Sequence, residues 1–148
     1  MSNKITFLLL FLFFLVGTGF AWQTGKGQMS AKLNGQSWKA NGSCSYMLIK
    51  TTLAITGTDK NGKNLIRLVV KDYKGPGSYV FNAADVTSEG NYFALSVNKT
   101  AVEGKFTVNR ADDGEVEGTF SFYCVPLAQN PRESPKVVAE GKFTAIGK

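Results

Sequence analysis

Val102-Glu103-Gly104-Lys105-Phe106, Val116-Glu117-Gly118-Thr119-Phe120 and Ala139-Glu140-Gly141-Lys142-Phe143 are three copies of one phrase: small apolar, Glu, Gly, polar, Phe. Each runs on in alternation, as Thr107-Val108, Ser121-Phe122 and Thr144-Ala145. Glycine and the apolar residues share one parity, and the charged and hydroxyl residues share the other. That is the two-residue period of a β-strand with one wet face. A glycine two positions before each Phe leaves room on the dry face for an aromatic from a neighbouring strand, or lets the sheet bend. The copies are 14 residues apart from Gly104 to Gly118 and 23 from Gly118 to Gly141, so they are not the equal repeats of a solenoid. Phe106, Phe120 and Phe143 are expected to be buried, and Glu103, Glu117 and Glu140 to face water.

The same period extends through the rest of the chain. Met29, Ala31 and Leu33 alternate with polar residues, Asn34-Gly35 follows, and Trp38 and Ala40 alternate again. Asn-Gly between two such runs is a hairpin signal, because both turn positions take positive φ. Cys44, Tyr46 and Leu48 share a parity, and Leu53 to Thr58 is a further short strand rich in β-branched residues. Asp59 to Lys63 is a polar turn leading to Asn64 through Lys71, whose nearly continuous apolar run suits a strand covered on both faces or one near the middle of a sheet. Ser78 to Phe81 reads as a brief strand. Asn82 to Gly90 reads as a loop with room for a helical turn at Ala83-Ala84-Asp85, and Tyr92 to Val97 as extended chain. Outside the leader no sustained 3.6-residue spacing occurs. The expected fold is all-β, an antiparallel sandwich or open barrel of about nine or ten short strands after a signal-peptide helix.

Lys4 precedes the apolar run Ile5 to Val16, and Gly19-Phe20-Ala21 fits a small-x-small cleavage site. Residues 1–21 therefore read as a secretory signal peptide, too short for the ~20 residues that span a bilayer, with an uncleaved anchor as the alternative. Residues 22–28 are a flexible lead-in and 29–148 a single β-domain. The chain carries a net charge of +6, to which Lys4 contributes one. Its basic residues are scattered rather than clustered, which argues for a solvated surface and against a nucleic-acid footprint. Cys44 and Cys124 are the only thiols, and in an oxidising compartment a disulfide between them is the first expectation. It would close a loop of about 80 residues and contribute about 4 to 5 kcal/mol by chain entropy. Two buried unpaired thiols are the second reading, and a reactive lone cysteine the third.

The hairpin Ala31-Lys32-Leu33-Asn34-Gly35-Gln36-Ser37-Trp38-Lys39-Ala40, the segment Gly77-Ser78-Tyr79, and the closing Gly118-Thr119-Phe120-Ser121-Phe122 and Glu140-Gly141-Lys142-Phe143 together resemble a known family. Its members are small exported, often lipid-anchored, all-β proteins of Bacteroidetes bacteria classed as a domain of unknown function. The resemblance covers nearly the whole chain after the leader. It implies an exported bacterial β-domain and brings no activity or site residue. The chain departs from the lipid-anchored members because no cysteine follows its apolar run, so a soluble product without stable membrane insertion is expected.

Chemistry is bounded mainly by what is missing. There is no histidine, which excludes Ser-His-Asp and Cys-His catalysis and His-containing zinc sites. No glycine-rich stretch has phosphate-loop spacing. Three acidic groups remain. Asp112-Asp113-Gly114-Glu115-Val116-Glu117 reads as a solvated hairpin turn. Asp59-Lys60-Asn61-Gly62 opens like a calcium loop but lacks the distal Glu. Glu103, Glu117 and Glu140 form a row if their strands are neighbours, partly neutralised by Lys105 and Lys142. The aromatics Trp38, Tyr46, Tyr79, Tyr92, Phe93, Phe122 and Tyr123 supply core and, at a barrel mouth or sandwich face, a surface for sugar or lipid. No catalytic, metal or cofactor residue is assigned. The expected function is a non-enzymatic exported binding domain for a small molecule, glycan or envelope partner, in its most specific form a lipocalin-type carrier. It would be periplasmic, on the cell surface or secreted. A carboxylate-dependent glycan hydrolase and a purely structural envelope protein are the alternatives.

Overall fold

Asn34 and Gly35 sit at φ +48° and +82°, and Asp113 and Gly114 at +47° and +75°. Both pairs take the left-handed conformation that a two-residue hairpin needs. They close the first and last tight hairpins of an all-β chain. In a computed structural model, residues 27–95, 104–127 and 134–148 are described. The leader, most of the lead-in and Glu103 lie outside them.

Eleven strands form among the described residues: β1 (Gln28–Leu33), β2 (Gln36–Asn41), β3 (Cys44–Ile49), β4 (Thr52–Thr58), β5 (Leu65–Val70), β6 (Gly77–Tyr79), β7 (Ala83–Ser88), β8 (Asn91–Leu95), β9 (Lys105–Asp112), β10 (Glu115–Pro126) and β11 (Lys136–Gly147). Hydrogen bonding joins them in one sheet of order β2-β1-β11-β3-β4-β5-β7-β8-β10-β9-β6, with β11 also paired to β10. It folds into two layers, the run β2-β1-β11-β10-β9-β6 and the meander β3-β4-β5-β7-β8. The long strands β10 and β11, of 12 residues each, leave the first layer at their ends and join the second. The end of β10 pairs antiparallel with β8 through Cys124, Val125 and Pro126, and the end of β11 pairs parallel with β3 through Ile146 and Gly147. The sheet thus returns on itself through two short seams, and not as an even barrel.

The three repeated phrases supply the middle of the core. Phe106, Phe120 and Phe143 are buried, as the parity requires. Gly118 stands opposite Phe143, and Phe120 opposite Gly141, across the β10–β11 ladder. A Cβ on Gly118 would lie 2.7 Å from Phe143 Cζ, and one on Gly141 would lie 2.5 Å from Phe120 Cδ2. Each phrase therefore holds the space that the other's ring fills. Gly104 takes the Phe81 ring in the same way, with its Cβ position 2.5 Å from Phe81 Cδ2. The rings stay in mutual contact, Phe106 stacking on Phe143 at 5.6 Å and 9°, and Phe81 meeting Phe122 edge to face at 5.5 Å. From the facing layer come Leu53, Ile55, Ile66, Leu68, Val70, Val86 and Phe93. The layers meet where a Cβ on Gly57 of β4 would touch the Met29 side chain and Ala40 Cβ of β1 and β2.

Three expectations are corrected. Ala83-Ala84-Asp85 makes no helical turn: it opens β7, because Ala84 and Val86 face the core while Asp85 and Thr87 face out, a period of two. Glu89-Gly90, at φ +50° and +81°, then turns β7 into β8. The parity of β3 fails beyond Tyr46, where Leu48 is 48% exposed. β11 ends beside Tyr46, so the far half of β3 has a neighbour on only one side. The Cys44–Cys124 disulfide is not formed: both cysteines are free and buried. Cys124 is opposite Lys136 at the start of β11, whereas Cys44 precedes Ser45, which pairs in parallel with Ile146, and so falls level with Ala145 near the far end of the same strand. Nine residues of strand are about 30 Å, against the roughly 7 Å between Cα atoms that a disulfide allows.

Candidate functional site

The outer face of the meander layer is where polar and apolar groups converge without being core. β5 is the middle strand of that layer. Its dry parity, Ile66, Leu68 and Val70, is buried, which leaves Leu65, Arg67 and Val69 on the outside. In β7 the same logic turns Ala83, Asp85 and Thr87 outward, and in β8 it turns Tyr92 and Ala94 outward.

Register then lines these side chains up in rows. Thr56 pairs with Arg67, Arg67 with Asp85, Asp85 with Ala94 and Ala94 with Val125. In the adjacent row Thr58 pairs with Leu65, Leu65 with Thr87 and Thr87 with Tyr92. The backbone N–H of Leu127 donates to the Tyr92 carbonyl at 2.9 Å, continuing that row past β10. A trough of about 520 Å³ lies over this grid, within the size range of small-molecule sites. Small residues, Ala83, Ala94 and Thr87, make its floor. Tyr92 and Leu127 stand out of it, 62% and 66% exposed.

Arg67 and Asp85 cross the centre of the trough as an ion pair, with Nη2 and Nε donating to Oδ2 at 2.7 and 2.9 Å. A half-exposed pair of this kind adds little stability, about 0 to 1 kcal/mol. Its effect is on the surface itself: the guanidinium and carboxylate are held in place, and their charges cancel. The trough offers fixed donors, fixed acceptors, the hydroxyls of Thr56 and Thr87 and the ring and hydroxyl of Tyr92, with no net charge.

The three acidic groups singled out from sequence do not meet one another, and the one cluster among them is neutralised by an arginine. Arg110 of β9 gathers the hairpin carboxylates, donating to Asp112 at 2.6 Å, to Glu117 at 2.8 and 3.2 Å, and to Glu115. Hydrogen bonding from Arg110 holds the Glu117 carboxyl below its ordinary value. Glu140 lies at a bulge where the β10–β11 register shifts, at φ +52°. Its carboxylate meets Lys32 at 2.9 Å, not Lys105 or Lys142. Glu117 is opposite Thr144, and Glu140 precedes Gly141, which is opposite Phe120. The two are separated along the sheet and tied to different cations, and Glu103 lies outside the described residues, so no row of three forms among the described residues. Asp59 is a turn residue: Oδ1 accepts from the Lys63 and Asn64 backbone at 3.0 and 3.2 Å, and Oδ2 from Asn64 Nδ2 at 2.6 Å. These bonds, the Asn64 side chain first, lower its pKa. No cluster of metal-ligating side chains is found among the described residues.

Of the seven aromatics weighed from sequence, Trp38, Phe93 and Phe122 are core, Tyr46 and Tyr79 pack against it, and Tyr123 is half-buried. Tyr92 alone of them stands exposed. Arg67, Asp85, Thr87 and Leu127 were not singled out. The signal for Arg67 was present, one charge inside an apolar run, but Asp85 could not be placed beside it while 82–90 read as a loop.

Residues 26–147 match the family described as a domain of unknown function (DUF6252). No curated protein and no solved structure matches the chain.

Proposed function

The chain belongs to the DUF6252 family of domains of unknown function, and from that premise we propose an exported, non-catalytic binding domain that takes its partner on the outer face of the β3-β4-β5-β7-β8 layer. The observation that carries the proposal is the contrast between the two sides of that layer. Its inner side meets a continuous aromatic packing of Phe81, Phe106, Phe120, Phe122 and Phe143, which argues against a carrier that encloses its ligand. Its outer side holds the trough with an exposed tyrosine, an exposed leucine and a fixed Arg–Asp pair. The hydrolase alternative is disfavoured because Glu115 and Glu117, which lie close together, are both bound by the Arg110 guanidinium on an exposed hairpin, and Glu140 is paired with Lys32 elsewhere. A cleaving pair needs one carboxyl kept protonated as the acid while the other stays free to act on the sugar or on water, and hydrogen bonding from Arg110 holds Glu117 below its ordinary value. Export is supported by the leader, the charged Lys4 followed by Ile5 to Val16.

Native mass spectrometry of the protein purified from its own cell envelope tests this reading. A retained ligand or partner is expected on the wild type and is expected to be lost from a Tyr92→Ala/Leu127→Ala variant that keeps its fold. Retention of the same mass by that variant would move the site elsewhere.

A further inference from the structure

Resting on the outer-face reading above, we infer that the trough is a subsite for an uncharged oligosaccharide of at least two sugar rings. Three features point to that class. First, Tyr92, 62% exposed as a residue, presents an aromatic side chain beside the exposed Leu127. An aromatic face of this kind packs against the C–H faces of a sugar ring while its hydroxyl stays wet. Second, Arg67 and Asp85 place a planar donor fork and an acceptor side by side, flanked by the hydroxyls of Thr56 and Thr87. Neighbouring sugar hydroxyls each donate and accept, so fixed donors next to fixed acceptors match them. Third, the charges at the centre cancel. An anionic ligand would have to displace Asp85 from Arg67, and a cation would have to displace Arg67 from Asp85; a neutral ligand displaces neither.

Dimensions set the minimum length. Tyr92 is one strand spacing and one two-residue step from Asp85 on the grid, and two spacings and one step from Arg67. These correspond to about 8 and about 12 Å, more than one ring spans while stacking on Tyr92. One ring therefore rests on Tyr92 and Leu127, and the next reaches Asp85 and Arg67 across the floor of Ala94 and Thr87.

The test is a titration of the isotope-labelled protein, followed by amide NMR. The probes are neutral gluco-, manno-, xylo- and N-acetylgluco-hexaoses, with an oligogalacturonate and detergent micelles as charged and lipid probes. The inference predicts that at least one neutral oligosaccharide shifts the amides of Arg67, Asp85, Thr87, Tyr92 and Ala94. Tyr92→Ala and Asp85→Ala should each weaken that response about tenfold, as loss of one aromatic platform or one fixed acceptor does. Lys39→Ala, on the opposite layer, should leave it unchanged. If only the oligogalacturonate or the micelles move those amides, the neutral-sugar inference is overturned while the outer-face reading stands. If neutral sugars shift amides of β1, β2 or β9 instead, both fall. If no probe shifts any amide, the inference is overturned.

Discussion

Gly118→Ala adds one methyl group at the point where the repeated phrases interlock. The new Cβ overlaps the Thr107 carbonyl oxygen of β9 and comes within 2.7 Å of Phe143 Cζ and 2.9 Å of Phe143 Cε1. A ring tip can pivot, but a carbonyl in the β9–β10 ladder cannot move without breaking its register. Overpacking of this kind costs about 1 to 3 kcal/mol, and the backbone overlap places Gly118→Ala at the upper end. A loss of about 3 kcal/mol from a domain whose total stability is about 5 to 15 kcal/mol lowers a urea midpoint by about 1 to 3 M at ordinary m-values. Gly104→Ala is the comparison, since its nearest atoms belong to the Phe81 side chain and Phe122 Cβ. It should lose about 1 kcal/mol, the lower end of the overpacking range. Adding Phe143→Leu to Gly118→Ala removes the ring that the methyl strikes, so the double variant should lose less than the two single losses together. Equal midpoints for the wild type and Gly118→Ala, or additive losses in the cycle, would refute reciprocal glycine–phenylalanine packing as the organising contact of the core.

Tyr73→Phe should hold or raise stability, by about 1 kcal/mol in urea denaturation, because the Tyr73 hydroxyl is buried with no hydrogen-bond partner among the described residues and its removal ends a desolvation cost. The purified protein should show two thiols by mass after alkylation in denaturant and no mass gain on reduction; a two-dalton gain would contradict the free cysteines. Burial pushes Cys44 up to about 12 and Cys124 up to about 11 from an ordinary value of 9.0. The folded state thus holds protons that the unfolded state loses, so the contribution is full below pH 9 and declines as pH rises toward 11 to 12. Replacing both cysteines by alanine should flatten that alkaline decline in a pH series of thermal melts. Arg110→Ala should lower the melting temperature at low salt, with the difference shrinking as salt rises, because the carboxylates it holds are on an exposed hairpin.

The features carried by local chemistry were legible in the sequence. Asn34-Gly35 and Asp113-Gly114 announced their turns through φ preference, and the parity of the repeated phrases placed Phe106, Phe120 and Phe143 inside. The glycines' purpose was legible too, since a missing side chain two positions before a Phe has few other uses in a strand. What escaped the sequence was set by pairing at a distance. Ala83 to Ser88 is short and carries Asp85 and Thr87, so its propensity did not announce a strand. It becomes one because β5 lies beside it and Arg67 pairs with Asp85. The cysteine pair failed for the same kind of reason: compartment and even number suggest a bond, but only the register of β11 shows that Cys44 on β3 and Cys124 on β10 lie beside opposite ends of that strand. The trough combines these cases, because its residues come from β4, β5, β7, β8 and Leu127 just past β10, and no contiguous motif could contain it.

Under the proposed function, partners dock on the outer face of the meander layer and not between the layers. Hydrogen–deuterium exchange of the full chain, with and without an extract of its own cell envelope, distinguishes the two. Added protection in β5, β7 and β8, absent in Tyr92→Ala/Leu127→Ala, is the predicted result. Protection confined to β1, β2 and β9, or unchanged by that substitution, would contradict it.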